Sequence, residues 1–385
     1  MLCKKQIMEK QKCLKSSKLC ERIGMESMQP VNVTEQFQIE KPDVSIKEAA
    51  KAKWDAIAKP LDGLGKLEEF ICRIAAIQGT TEVDIHKRAV IAMCADNGIV
   101  EEGVTQAGQD VTAIVALDMA KGIASVCQMG QAGGVDVIPV DIGISCQASH
   151  ENLLAKKVAP GTGNFLKEPA MTKEEMWLAI QTGADLVWGY KQKGYCIFAT
   201  GEMGIGNTTT SSAMASALLG MPVEEVTGRG AGLSDAGLSR KKEVIQQALQ
   251  KYGLQSSGIT PAFAEKVLQC VGGLDIAGLV GVYLGGALYH VPIVIDGIIS
   301  AVAALCAEKM FPGAVDYMIP SHMSQEPATR GIMKELGLSP IIDGNLCLGE
   351  GTGAVLLFPM LDMALRVYDA NTTFEDIQVG QYERY

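Results

Sequence analysis

The chain has 385 residues, 48% of them hydrophobic, and carries 44 acidic against 34 basic side chains for a formal charge of −10. That is enough apolar material for one large core or two unequal ones, and the acidic balance leaves no basic face suited to a nucleic acid. Eleven scattered cysteines without a Cys-x-x-Cys pair, and only four histidines, indicate neither a zinc site nor a disulfide framework and suit a reducing, cytoplasmic setting.

Residues 1–43 are rich in Lys, Gln and Met and lack the apolar core of a secretory signal, so a loosely ordered N-terminal extension is expected there. Segments 44–77 and 353–370 read as helices, which places a small helical domain, built from both chain ends (44–85 plus 357–385), beside a substrate-binding domain at 86–356. Within the latter, 89–95 reads as a strand leading into Asp96-Asn97-Gly98, 111–129 as one helix and 135–140 as the next strand, ending at Asp141. Thr172 with Glu175 forms a capping box for a helix through Gln192, and Gly194 stops it before a strand at 195–200. Residues 276–295 are uncharged over a membrane-spanning length. His290 and Pro292 interrupt that run, so it reads as a buried helix followed by a buried strand ending at Asp296, with glycines 278, 281, 285 and 286 allowing close helix packing. The repeated strand, loop, helix rhythm predicts an α/β fold: an open, mostly parallel Rossmann-like sheet flanked by helices, with no membrane association. Ligands of such sheets sit beyond the carboxyl ends of the strands, where loops 96–110, 201–208 and 296–300 should converge.

Three glycine clusters carry the unusual chemistry. In GEMGIGNTTTSSA (201–213) an apolar strand runs into glycines and a Thr/Ser-rich helix start, a setting for an anion on backbone N–H groups, although it contains the carboxylate of Glu202. A strand-to-helix turn capped by Asn207 or Thr208 would look the same. In VTGRGAGL (226–233) glycines precede Ser234 and a helix with Arg240, Lys241 and Lys242; these basic groups suit a phosphate or, equally, solvent. In LCLGEGTGA (346–354) Glu350 stands between two glycines, beside Leu346, Leu348 and Val355, as a general base near a planar ligand or as a solvated turn residue. None of the three is a dinucleotide-binding or P-loop fingerprint.

KPLDGLGKLE (59–68), MCADNGIVEEGV (93–104), GEMGIGNTTTSSA, IPSHMS (319–324) and LGEGTGA (348–354) occur in the order and spacing of one enzyme family. Over about residues 44–370 the chain resembles the nicotinate-nucleotide:dimethylbenzimidazole phosphoribosyltransferases, which make the lower-ligand nucleotide of cobalamin. The resemblance implies transfer of 5-phosphoribosyl from nicotinate mononucleotide to a benzimidazole-like acceptor, with inversion at C1′ to an α-glycosidic product and no metal or cofactor. It makes Glu350 the catalytic base and Glu202 a second catalytic carboxylate near the acceptor or ribose, on loops that wall the site from opposite sides. Gly204, Asn207, Thr208, Gly230, Gly232, Lys241, Ser321 and Ser324 are then expected to bind ribose phosphate and nicotinate; around Ser321 and Ser324 simple turn capping is the alternative. Leu348, Ala107 and Val115 fall at the acceptor. The chain departs from the family pattern at Ala107-Gly108, often Ser-Pro, at Val115, often Gln, and at Leu346-Cys347, commonly Met-Arg. These changes reduce polarity near the acceptor and keep open a phenol- or cresol-using branch that works with a paralogous subunit, beside the expected homodimer.

Overall fold

The structure, a computed structural model, describes residues 30–34, 37–255, 258–369 and 372–383. Residues 1–29 of the expected extension lie outside the described residues. Val33–Tyr385 form one compact unit.

The element order is α1 (Val44–Ala56), α2 (Lys66–Gln78), β1 (Arg88–Ala95), α3 (Asp110–Ala120), α4 (Ser125–Gly133), β2 (Asp136–Gly143), β3 (Leu154–Ala155), α5 (Lys173–Gln192) and β4 (Ile197–Met203). There follow α6 (Asn207–Leu219), α7 (Val223–Val226), α8 (Asp235–Tyr252), α9 (Pro261–Val271), α10 (Leu274–Leu288), β5 (Ile293–Ile295) and α11 (Ile298–Met310). The chain closes with β6 (Met318–Pro320), β7 (His322–Ser324), α12 (Ala328–Glu335), β8 (Ile342–Leu346) and α13 (Thr352–Tyr368). Six strands form an all-parallel sheet in the order β3-β2-β1-β4-β5-β6, and β7 and β8 pair separately. The chain therefore winds outward in both directions from the β1/β4 pair, and the crevice at that switch point is where such a fold binds ligands.

Local signals explain most boundaries. The Thr172/Glu175 capping box opens α5, and Asp43 accepts the Ser45 and Ile46 N–H groups at the start of α1. All eight β1 residues are buried, as a central parallel strand covered on both faces requires. The uncharged 276–295 segment is the buried helix and strand expected, α10 then β5. Among the described residues no helix is long and apolar enough to cross a membrane.

Two boundaries differ from the sequence reading. The helix expected at 111–129 is two helices, because Gly122 takes φ +77° and the chain turns before α4 begins. The strand expected to stop at residue 200 continues through Met203, with Glu202 in register beside Met93 of β1. Glu202 thus belongs to the end of the ladder and not to a loop; α6 starts after Gly206, whose φ of +96° makes the turn, with no side-chain cap from Asn207 or Thr208.

The terminal helices pack on one another through Trp54 and Tyr368, ring centroids 5.0 Å apart, and their buried residues join those of β1 and β4 in one hydrophobic cluster. KPLDGLGKLE is a structural turn in this setting: buried Glu68 pairs with Lys59 at 2.6 Å and accepts the Leu64 N–H at 3.0 Å.

The close helix packing read from glycines 278–286 occurs between α5 and α10. A Cβ on Gly281 would lie 2.0 Å from the Ile180 carbonyl oxygen, and one on Gly183 2.0 Å from that of Gly278. Gly281→Ala is therefore expected to destabilise the fold by about 1–3 kcal/mol through overpacking, despite the better helix propensity of Ala. Gly189→Ala, on the same helix as Gly183 with nothing within 4 Å, is expected to stabilise by about 0.5–1 kcal/mol. Urea denaturation of the two variants checks both signs.

Candidate functional site

A cavity of about 250 Å³ opens at the carboxyl edge of the sheet. Its lining joins the segments after β1, β4 and β5, the second glycine cluster, β7 and the loop before α13, so the three loops expected to converge do so. Of the sequence-derived candidates, Ala107, Glu202, Gly204, Asn207, Thr208, Gly230, Ser324, Leu348 and Glu350 line it. Gly232, Lys241, Ser321 and Val115 do not.

The two acidic glycine clusters touch each other and do not face each other across the cavity. A Cβ on Gly201 would lie 2.5 Å from the Glu350 carbonyl oxygen, and one on Gly349 2.6 Å from Glu202 Oε1. The backbone contact at Gly201 permits only glycine, so the expected opposite walls are one continuous wall. Gly349, Glu350 and Gly351 all take positive φ, of +86°, +62° and +96°. For the non-glycine Glu350 that conformation is strained, and strain of this kind is held in place only by surrounding contacts.

Two contacts hold it. Asp296, at the end of β5, accepts the N–H of Gly351 at 3.2 Å and of Ala354 at 2.9 Å, capping α13 from outside the helix. Glu350 Oε2 accepts the Val126 N–H at 3.1 Å, at the N-terminus of α4, which has no side-chain cap of its own. The chain break at Gly122 supplies that helix end. Leu348 is 59% exposed, so the apolar enclosure expected around Glu350 is open on that side.

Glu202 is the deeply placed acid. Burial pushes its carboxyl up to about 8, the charges of Asp275 and Asp296 push the same way, and hydrogen bonds from the Asn207 carboxamide and the Glu350 backbone oppose them. Asn207 Nδ2 donates to Glu202 Oε2 and, at 3.0 Å, to Asp275 Oδ2. Burial also raises Asp275, to about 6. Burial raises Asp296 and lowers the neighbouring His322, each partly offset by the other's charge. The His322 ring lies on the first turn of α13, where a Cβ on Gly353 would come within 2.1 Å of it.

The second glycine cluster meets the first through Thr208. Lys241, completely buried, donates from Nζ to Thr208 Oγ1 at 3.0 Å and to the Gly228 carbonyl at 3.2 Å, and burial brings its ammonium down to about 8. It supports the loops from behind and does not line the cavity. Arg240 pairs with Glu102 at 2.6 Å. The Gly230 N–H, expected to be open to a phosphate, donates to Glu326 Oε1 at 3.1 Å. Ser321 points inward, its hydroxyl donating to the Ile295 carbonyl at 2.6 Å; Gly232 offers its carbonyl to Gln106; Val115 packs against the core.

Sequence reasoning passed over Asp275, His322 and Glu326. Asp275 had a signal: it is the one charge on a helix otherwise apolar throughout. His322 and Glu326 had none beyond their place in or next to IPSHMS. Among the described residues no three His, Cys, Asp or Glu side chains are grouped to hold a metal ion.

The raised carboxyl of Glu202 gives the fold a pH dependence. The folded chain binds a proton there that the unfolded chain releases near pH 4.5, so this contribution to stability is complete below that value and lost as pH rises toward about 8. Glu202→Gln lacks the titration. The stability of the variant relative to the parent is expected to rise between about pH 5 and about pH 8 in denaturant titrations.

The profile of a phosphoribosyltransferase family matches residues 39–379. A nicotinate-nucleotide–dimethylbenzimidazole phosphoribosyltransferase from Acetivibrio thermocellus is 43% identical over 329 residues, covering 86% of this chain and 92% of the relative. One of the same name from Ruminiclostridium cellulolyticum is 40% identical over 345 residues, covering 90% and 97%. The crystal structure of CobT from Thermus thermophilus superposes with a TM-score of 0.82 at 38% identity, covering 88% of this chain and all of that one. With its all-parallel sheet, its acidic glycine loops and this similarity along nearly the whole chain, the protein belongs to the nicotinate-nucleotide–dimethylbenzimidazole phosphoribosyltransferase family.

Proposed function

We propose that the protein transfers 5-phosphoribosyl from nicotinate mononucleotide to 5,6-dimethylbenzimidazole, giving α-ribazole 5′-phosphate and nicotinate for cobamide assembly. The observation that carries this reading is that Glu202 and Glu350 both line the cavity at the carboxyl edge of the sheet, their segments in contact through Gly201 and Gly349, with two glycine loops beside them. The C1′–nitrogen bond of the donor breaks with its electron pair going to the pyridinium nitrogen, so nicotinate leaves without a proton. An acceptor nitrogen forms the new bond to C1′, and the acceptor N–H proton passes to Glu350. The leaving group needs no acid, and one carboxylate base is sufficient.

The phosphate belongs near Thr208 and Gly230, with Lys241 lending its charge from behind Thr208. A phosphate there competes with the Glu326 carboxylate for the Gly230 N–H. Ala107, Leu348 and Cys347 line the end assigned to the acceptor. Their low polarity favours an apolar ring and supports, as a second reading, a phenolic acceptor. The enzyme works in the cytoplasm, and as a homodimer; the exposed Leu356 and Met363 of α13 support a self-association surface. Light scattering on purified protein tests the dimer, and a monomer at micromolar concentration refutes it.

Nicotinate release from nicotinate mononucleotide is expected with dimethylbenzimidazole, and release only with phenol or cresol would replace the acceptor. Glu350→Gln is expected to lower kcat by about 10²–10⁴-fold while the affinity for nicotinate mononucleotide stays within a few-fold. Isothermal titration and single-turnover assays measure the two separately.

A further inference from the structure

Asp275 is completely buried in the first turn of α10, the one charge on that helix, and does not line the cavity. Burying a carboxylate there is costly, and the surroundings are shaped to admit it. A Cβ on Gly204 would lie 2.6 Å from Asp275 Oδ2, and one on Gly273 2.3 Å from Oδ1, so two glycines make room for its oxygens. Oδ1 accepts the Ile276 N–H at 3.0 Å. Oδ2 accepts from Asn207 Nδ2 at 3.0 Å, and the second hydrogen of that amide goes to Glu202 Oε2. One carboxamide nitrogen is thus shared between two carboxylates, of which only Glu202 reaches the cavity.

We propose that Asp275 is a positioning residue for the transfer reaction: through Asn207 it fixes the Glu202 carboxyl at the cavity wall, and by its own negative charge it favours the neutral acid there. An NH₂ group between two carboxylates satisfies one oxygen of each but leaves two like charges close together, and a proton on one of them relieves the repulsion. The groups facing Glu202 agree. Asp296 after β5 is acidic, Cys94 of β1 is a buried thiol, and the Glu350 backbone N–H is the further donor; Asp96 adds negative charge on the Asp275 side. A neutral Glu202 donates a hydrogen bond into the cavity and leaves the proton-accepting task to Glu350. This rests on Glu202 serving the transfer reaction.

Asp275→Asn keeps the shape and, with its amide oxygen toward Asn207, that acceptor; it gives up the bond from the Ile276 N–H and removes the charge. The alkaline limb of kcat/KM, where Glu202 loses its proton, is expected to move to lower pH by on the order of one unit, with the nicotinate mononucleotide KM changed less than kcat. In a Glu202→Gln background the same substitution is expected to move no limb. A limb unmoved in a folded Asp275→Asn protein, or moved equally in both backgrounds, overturns the proposal. Infrared titration of the carboxyl band that disappears in Glu202→Gln needs neither turnover nor the Asp275 variant. The proposal predicts that this band persists through neutral pH and is lost only on the alkaline side; its loss in the ordinary carboxylate range overturns the proposal even if transfer activity is confirmed.

Discussion

The carboxylates that gather at the carboxyl edge of the sheet are held by N–H groups of backbone and carboxamide, and the crevice takes its shape from that arrangement. Asp296 closes the N-terminus of α13, Glu350 that of α4, and Asp275 the first turn of α10, while Asn207 joins Asp275 to Glu202. Helix N-termini offer unpaired donors and partial positive charge, so each acid supplies what a helix end lacks. Glu350 and Asp296 together pin the 349–351 loop from both sides, which is how a non-glycine residue stays at positive φ in the middle of the site. The site is therefore rigid because the scaffold depends on its acids.

Close backbone approach is the second constraint. Gly201 against the Glu350 carbonyl, Gly204 against the Ala95 carbonyl and Gly353 against the His322 ring leave no space for a methyl group. These contacts bring β4, the 349–351 loop and β7 near enough for Glu202 and Glu350 to share one wall. Their glycines serve proximity between protein segments more than direct access to a ligand, which a reading of glycine loops as anion cradles does not separate.

Much of the fold was legible in the chain. The all-parallel sheet follows from the alternation of apolar runs and amphipathic segments, and the α5 capping box and the buried α10 helix were read nearly residue for residue. The meeting of Thr208, Gly230 and Lys241 was legible as chemistry but not as geometry: Lys241 stands behind the loops, buried, its ammonium taken up by the Thr208 hydroxyl and the Gly228 carbonyl. Ser321 turned inward because Ile295 presents a carbonyl that a buried hydroxyl must satisfy. The break at Gly122 escaped notice because the apolar pattern runs through it, and so did the helix end that receives Glu350.

By itself the sequence determined what is local or periodic: the strand and helix rhythm, the caps, the glycine clusters with acids among them, and the motifs that mark the family. Tertiary structure alone decided which of those acids lie together, which N–H groups each one takes, and that Glu202 is shut away while Glu350 stays half open. The reason is physical. Propensity and spacing act over a few residues, whereas the burial and neighbouring charge that set the state of a carboxyl come from segments such as those of Asp275 and Asp296, some 70 to 90 positions away in the chain and in contact only once the sheet has closed.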